Sequence, residues 1–448
     1  MPHDLQSLAE RALRAARKSG ADAADVLAVA GDSLSIEVRQ GALEHAERAE
    51  GVDLGLRVLI GKRQACVSIS DMRPETIEQA AERAVAMARL APEDAFIGLA
   101  TPEQLGTLRD AATLDLDDGA MAPAPADLQD IACRAEAAAL AVDGVDQVQS
   151  AGADWSRHRI WLAASNGFAG GYQRSSHSTS AVAISGTGLA MERDWAAEGR
   201  IYLADMPTAE DIGTLAGERA VSRRSPKRPP TGAFPVLYDE RVSSSLIGHL
   251  LSAINGNAVA RGASWLKDAM GEAVLPAHMS LTENPLRPRI GSSRPFDAEG
   301  LPTATRNWVE DGILQGFVLD LATARKLGMA PTANASRGTG APPSASTTNI
   351  DLTQGRQTRA ELIAEMGTGL LITSLIGASI NATTGNYSRG ASGFWVENGE
   401  ITGPVNECTV AGNLRPMLAS LIAGNDAQNH KSSRIPSLLV QGLTIAGA

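Results

Sequence analysis

The chain has 448 residues, 44 % hydrophobic and 20 % charged, which fits a globular protein too long for one ordinary core and suggests two domains. A formal net charge of −11 argues against broad affinity for nucleic acid, because binding phosphate needs a positive face. Aromatic residues are only 4 %, so cores must be assembled from Ala, Leu, Ile and Val, while 44 glycines suit many turns between short strands. Cys66, Cys133 and Cys408 lie far apart without a CxxC pair, which points to a reducing compartment and gives neither a zinc-finger nor a disulfide framework. Met1-Pro2-His3-Asp4 lacks the basic and apolar regions of a signal peptide, and no segment approaches the roughly 20 apolar residues that span a bilayer. The expected location is the cytoplasm, with no membrane contact.

Residues 4–19 place Leu5, Leu8, Ala12, Leu13 and Ala16 on one helical face, with Gly20 as a stop. Short alternating runs follow at Val26/Leu27/Val29, Leu34/Ile36/Val38, Val52/Leu54/Leu56/Val58 and Val67/Ile69. Gly31-Asp32, Gly41 and Gly61-Lys62 punctuate them, which predicts an antiparallel meander. Pro74 then opens a helix. The order returns after an Ala/Pro/Asp-rich bridge at 101–126: a helix at 127–142, strands at Ile160/Leu162, Ala181 to Ile184 and Ile201/Leu203, and a helix at 208–222. The expectation is an α+β N-terminal domain, residues 1–224, built from two helix–antiparallel meander–helix halves.

Residues 225–231 are basic, Pro-rich and aperiodic, so the plain reading of this stretch and the adjoining Arg223 and Arg224 is a solvated interdomain linker. A mostly β C-terminal domain, 232–448, then begins with a strand at 234–238 and a helix at 240–254. Asp311-Gly312 and Asn398-Gly399 predict two-residue hairpin turns, since both central positions want positive φ. Residues 332–349 form a Gly/Ser/Thr/Pro-rich loop with almost no core residues, and a loop that long in a compact domain is usually functional or mobile.

The search for chemistry yields little. The seven histidines (3, 45, 158, 177, 249, 278, 430) include no pair within five positions and none directly followed by Glu, so a self-contained helical zinc site is not expected. Ser264 and Lys267 match S-x-x-K without the companion motifs of that hydrolase class. Gly385-Asn386-Tyr387-Ser388-Arg389-Gly390 has one residue too many for a nucleophile elbow and reads as a Gly-flanked turn. Asp115, Asp117 and Asp118 lack the closing Glu of a calcium loop and read as a solvated acidic bridge. His249 alone reads as a core or capping histidine.

The run Asp239-Glu240-Arg241-Val242-Ser243-Ser244-Ser245-Leu246-Ile247-Gly248-His249 resembles the TldE (PmbA) branch of the TldD/TldE family of peptide-cleaving metalloproteases. Further matches are 258–268, 384–401, 409–414 and 423–426, with looser ones at 38–41, 166–168 and 170–172, so the resemblance spans essentially the whole chain. It implies that TldD is the catalytic subunit, with an H-E-x-x-x-H helix and a Cys near the C-terminus holding zinc. Carried over by position, the first His falls on Ser244, the Glu on Ser245 and the second His on His249. The Cys segment after Gly424-Asn425-Asp426 is shortened to 432–437, and Cys408 lies upstream of it.

Hydroxyls are poor zinc ligands at neutral pH, and Ser cannot act as a water-activating carboxylate. The resemblance therefore implies a subunit without a cofactor of its own, partnered by a zinc-bearing TldD-like chain and acting on leader peptides or small unfolded polypeptides. It leaves room for a homodimer. Asn386, Tyr387, Ser388 and Arg389 are the candidate residues facing an extended peptide or the partner, together with the 332–349 loop. Two alternatives stand beside this: an autonomous hydrolase using Ser264/Lys267 or scattered histidines, and a DNA gyrase-modulating binding protein.

Overall fold

The computed structural model describes residues 4–107 and 109–447. Helix α1 (Leu5–Lys18) starts at Asp4, whose carboxylate accepts the Gln6 N–H. It is followed by β1 (Ala23–Arg39), β2 (Ala42–Ile60), β3 (Arg63–Ile69) and α2 (Pro74–Leu90), then the one-turn α3 (Pro102–Leu105). The same order comes again as α4 (Pro125–Leu140), β4 (Gln147–Ala164), β5 (Ala169–Ser185), β6 (Glu192–Arg200) and α5 (Ala209–Ser222). The halves join because β1 pairs antiparallel with β4, giving one six-stranded sheet of order β3-β2-β1-β4-β5-β6.

Two strand expectations are corrected. Gly31-Asp32 does not break the chain: β1 runs straight through it, with Gly31 opposite Gly51 on one side and His158 on the other. A Cβ on Gly31 would stand 3.1 Å from the His158 ring, so this glycine admits a neighbouring side chain instead of making a turn. The last strand of the second half is 192–200, and Leu203 lies in a 3-10 turn, Leu203–Asp205.

Both helix pairs cover one face of the sheet. Val26, Ala28, Leu54 and Leu56 share a core with α1 and α2, and Leu34, Ile36 and Val38 share one with α4 and α5. Small residues such as Ala9, Ala12, Ala81 and Ala84 sit fully buried there, which lets the helices lie close to the strands. The opposite face, with Leu27 and Leu162, packs on Phe168 and on Phe296 of the C-terminal domain.

In the C-terminal domain, β7 (Gly232–Tyr238) leads into α6 (Glu240–Ala253) and the short α7 (Gly256–Ala260). A small sheet is ordered β10-β9-β8-β13-β18 from β8 (Leu281–Glu283), β9 (Arg306–Glu310), β10 (Ile313–Leu314), β13 (Ile350–Leu352) and β18 (Ser433–Arg434). Helix α8 (Leu321–Leu327), the two-residue strands β11 (Ala335–Ser336) and β12 (Ser344–Ala345), and α9 (Arg359–Met366) also lie in this domain. A second sheet runs β16-β15-β14-β7-β19-β17 from β14 (Gly369–Ile380), β15 (Asn386–Glu397), β16 (Glu400–Asn413), β17 (Ile422–Ala423) and β19 (Leu438–Ala446). Because β16 also pairs with β19, five of these strands close into a barrel. The two hairpin turns form as expected, with positive φ at Asp311 and Gly312 and at Asn398 and Gly399.

Three segments read as solvated or loop-like are packed. In 332–349, Asn334, Ala335, Ala345 and Asn349 are buried, and Arg337 reaches into the N-terminal sheet to pair with Asp25 at 2.5 Å. Beyond the supposed linker's edge, Arg223 bonds Asp194, Ser392 and Thr373, and Arg224 bonds Gly144 and Asp146. Within it, the Lys227 N–H donates to the Pro404 carbonyl. The acidic bridge is pinned too: Arg157 holds Asp117 and Asp118, and His177 holds Asp118 at 2.7 Å. Short-range periodicity registers none of these long-range partners.

Candidate functional site

The helix that carries Ser244, Ser245 and His249 is α6. Asp239 caps it by accepting the Arg241 N–H, and its apolar stripe, Leu246, Ile247 and Leu250, shares a core with Val236, Tyr238 and Ile372 of the barrel. That burial fixes which way the remaining faces point. Ser243 is buried and its hydroxyl donates to the carbonyls of Glu240 and Ile435, while Ser245 donates to the Val242 carbonyl at 2.7 Å. Ser244 is exposed. Ser244 and Ser245 open onto a cavity of about 670 Å³ between the domains, whose wall and floor include Asp194, Arg223, Thr373, Ser392 and Arg389.

His249, one turn further along α6, stacks edge-on against Tyr387 with ring centroids 5.8 Å apart. Its Nε2 is buried without a hydrogen-bond partner among the described residues. Burial, and then the nearby positive charge of Arg389, push its pKa below the usual histidine value.

Of the residues expected to face a peptide or partner, Tyr387 does not: it is 2 % exposed, and the Tyr238 hydroxyl donates to its own at 3.3 Å. Nor do residues 386–389 make a turn, since β15 begins at Asn386. Asn386 is exposed and accepts from the Asn413 amide, and Ser388 and Arg389 are half-buried. Arg389 bonds the Gly377 carbonyl through Nε.

The alternative nucleophile is engaged elsewhere. The Ser264 hydroxyl is buried, donates to the Ala253 carbonyl at 2.5 Å and accepts the Leu266 N–H, while Lys267 is exposed. That is a turn-stabilising serine, with no base bonded to its hydroxyl among the described residues. Among the described histidines, His45 pairs with Glu47, His177 with Asp118 and His430 with Glu198, and His278 is exposed. They do not converge. Cys408 is buried in β16, its thiol directed at the Ala391 carbonyl, and burial pushes its pKa up to about 11.

Family models place this geometry among known proteins. The PmbA/TldA metallopeptidase C-terminal domain matches residues 231–447, domain 1 matches 24–88 and the central domain matches 122–224. The metalloprotease PmbA of Escherichia coli O157:H7 is 34 % identical over 428 residues, covering 95 % of this chain and 92 % of that one. This chain belongs to the PmbA/TldD metallopeptidase family. A PmbA homolog from Haemophilus influenzae is also 34 % identical, over 99 % of this chain and 96 % of that one. Among solved structures, a Bacteroides thetaiotaomicron protein described as a proposed modulator of DNA gyrase superposes with a TM-score of 0.91 at 28 % identity over all of both chains. TldE from Thermococcus kodakarensis shares the fold, with a TM-score of 0.83 at 20 % identity over 98 % of this chain and 99 % of that one.

A PmbA/TldD metallopeptidase implies a catalytic metal, and the residues of α6 do not fit one. Ser244 and Ser245 offer only hydroxyls, which are poor metal ligands, and His249 faces an aromatic ring. Among the described residues, no three His, Cys, Asp or Glu side chains come together as metal ligands.

Proposed function

We propose that this chain is the TldE-type, non-catalytic subunit of a heteromeric metalloprotease that cleaves leader peptides or small unfolded polypeptides. Its partner is a TldD-like chain that carries the zinc and the general base. The observation that carries this reading is the face of α6: Ser244 and Ser245 offer hydroxyls, neither imidazole nor carboxylate, while His249 is half-buried against Tyr387 with no second ligand beside it among the described residues. Ser244 and Ser245 open onto a cavity of about 670 Å³, which supports a role in shaping or holding substrate. No described helix is long and apolar enough to cross a membrane. A DNA-topology role draws no comparable support, given a net charge of −11.

The test measures zinc content and cleavage of an unfolded polypeptide by the isolated chain, by a TldD-like chain and by their mixture. Zinc should follow the TldD-like chain, and proteolysis should require the mixture. Stoichiometric zinc in the isolated chain, with cleavage equal to that of the mixture, would overturn the reading.

A further inference from the structure

The cavity beside α6 has an uneven charge. Four guanidinium groups line it, those of Arg193, Arg223, Arg241 and Arg389, against the single carboxylate of Asp194. Asp194 is spoken for: Arg223 Nε lies 2.6 Å from one oxygen and Arg241 Nη2 lies 2.5 Å from the other. Arg223 is further engaged by the hydroxyls of Ser392 and Thr373 at 3.0 and 3.2 Å.

Arg193 and Arg389 are different. Arg389 spends only Nε, on the Gly377 carbonyl, and Arg193 makes a long 3.4 Å contact to the Gln149 amide oxygen. Among the described residues, neither is paired with a carboxylate. Beside them stand Trp195, 54 % exposed, and Ile376, 76 % exposed, two large apolar side chains that open water-facing surface along the same cavity.

Planar guanidinium donors left without acceptors recognise carboxylate or phosphate oxygens. The apolar flank and the size separate the two. At about 670 Å³ the cavity is within the range of small-ligand pockets, about 300–1,000 Å³, and its exposed Trp and Ile would lie wasted against a polyphosphate backbone. A chain end is favoured over a chain middle because a C-terminal residue carries its carboxylate and its side chain on one Cα, matching free guanidinium groups beside Trp195 and Ile376. We propose that this cavity binds the C-terminal carboxylate of a short or extended peptide. Arg389 and Arg193 are the free donors, and Trp195 and Ile376 hold the last apolar side chain. The proposal builds on reading α6 as an element that handles peptide without cleaving it.

Isothermal titration of the isolated full chain tests it with N-acetyl-Ala-Ala-Ala-Leu as the free acid, as the C-terminal amide, and with N-acetyl-Ala-Glu-Ala-Leu amide. The free acid should bind at least about tenfold more tightly than either amide, the scale of one lost charge-assisted hydrogen bond. Arg389→Gln and Arg193→Gln should each weaken the acid by about tenfold while leaving the amide unchanged, with circular dichroism confirming the fold of each variant. Equal affinity for acid and amide, tight binding of the internal glutamate, loss of binding to competing inorganic phosphate at lower concentration than acetate, or indifference to both substitutions each overturn it. No proteolysis is read, so failure here leaves the partnership with a TldD-like chain standing.

Discussion

Two clusters of one aspartate and two arginines tie the N-terminal sheet to the rest of the molecule, and they differ in how they are closed. Asp25 on β1 takes Arg57 from β2 and Arg337 from the C-terminal domain, with side-chain exposures of 4, 4 and 1 %. The carboxyls of Asp297 and Glu299 are buried in the same interface, with Glu299 close to Arg57. Asp194 on β6 likewise takes Arg223 and Arg241, at 4, 12 and 15 %, but its surroundings add guanidinium groups and open onto the cavity beside α6. The same ion triplet thus serves as a sealed interdomain clamp in one half of the sheet and as the wall of a basic cavity in the other. What decides the role is the next layer: carboxyls seal it, unpaired arginines leave it open.

Breaking the sealed cluster should cost most. Arg337→Ala removes one partner of a dry pair, and a loss of about 3–5 kcal/mol is expected in urea unfolding; a loss under about 1 kcal/mol would show the clamp to be decorative. Gly55→Leu attacks the same contact by shape, because a Cβ there would stand 2.5 Å from the Thr339 backbone, and should cost about 1–3 kcal/mol as the loop is forced off the sheet. Asp194→Asn should cost less, about 1–2 kcal/mol, since water in the cavity can solvate the arginines it releases. It should also tighten binding of the acid tetrapeptide.

The fourth expectation concerns pH. Burial, and then the charge of Asp297, push the Glu299 carboxyl up to about 8, from an ordinary value near 4.5. Its neutral form therefore stabilises the folded interface below pH 4.5, and that contribution is lost as pH rises through 8. Glu299→Gln keeps an oxygen to accept the Leu321 N–H and should flatten the decline in thermal midpoint between those limits. An unchanged slope would remove Glu299 as its cause.

The two helix–meander–helix halves and both hairpin turns were legible in local periodicity and in Asp-Gly and Asn-Gly. Whether the halves formed one sheet was not, because the β1–β4 pairing joins residues more than a hundred apart and leaves no pattern in either strand. The serines of α6 were legible only as positions where a metal helix would differ. The cavity they face was missed, since Arg193, Arg241 and Arg389 lie on three separate elements and only Arg389 stood out in the sequence. A weak signal existed in 332–349: a lone arginine, Arg337, in a stretch otherwise free of charge, which the fold spends on Asp25.

Barrel closure has a consequence for how the chain is made. The strand at 232–238 has only two neighbours in its sheet, 369–380 and 438–446, so neither exists until well over a hundred further residues have been synthesised. Tyr238, fully buried once the strand is in place, must wait in water or with a chaperone until then. Slow, late-forming pairing of this kind makes the nascent C-terminal half the stage at which translation speed and chaperone supply govern yield.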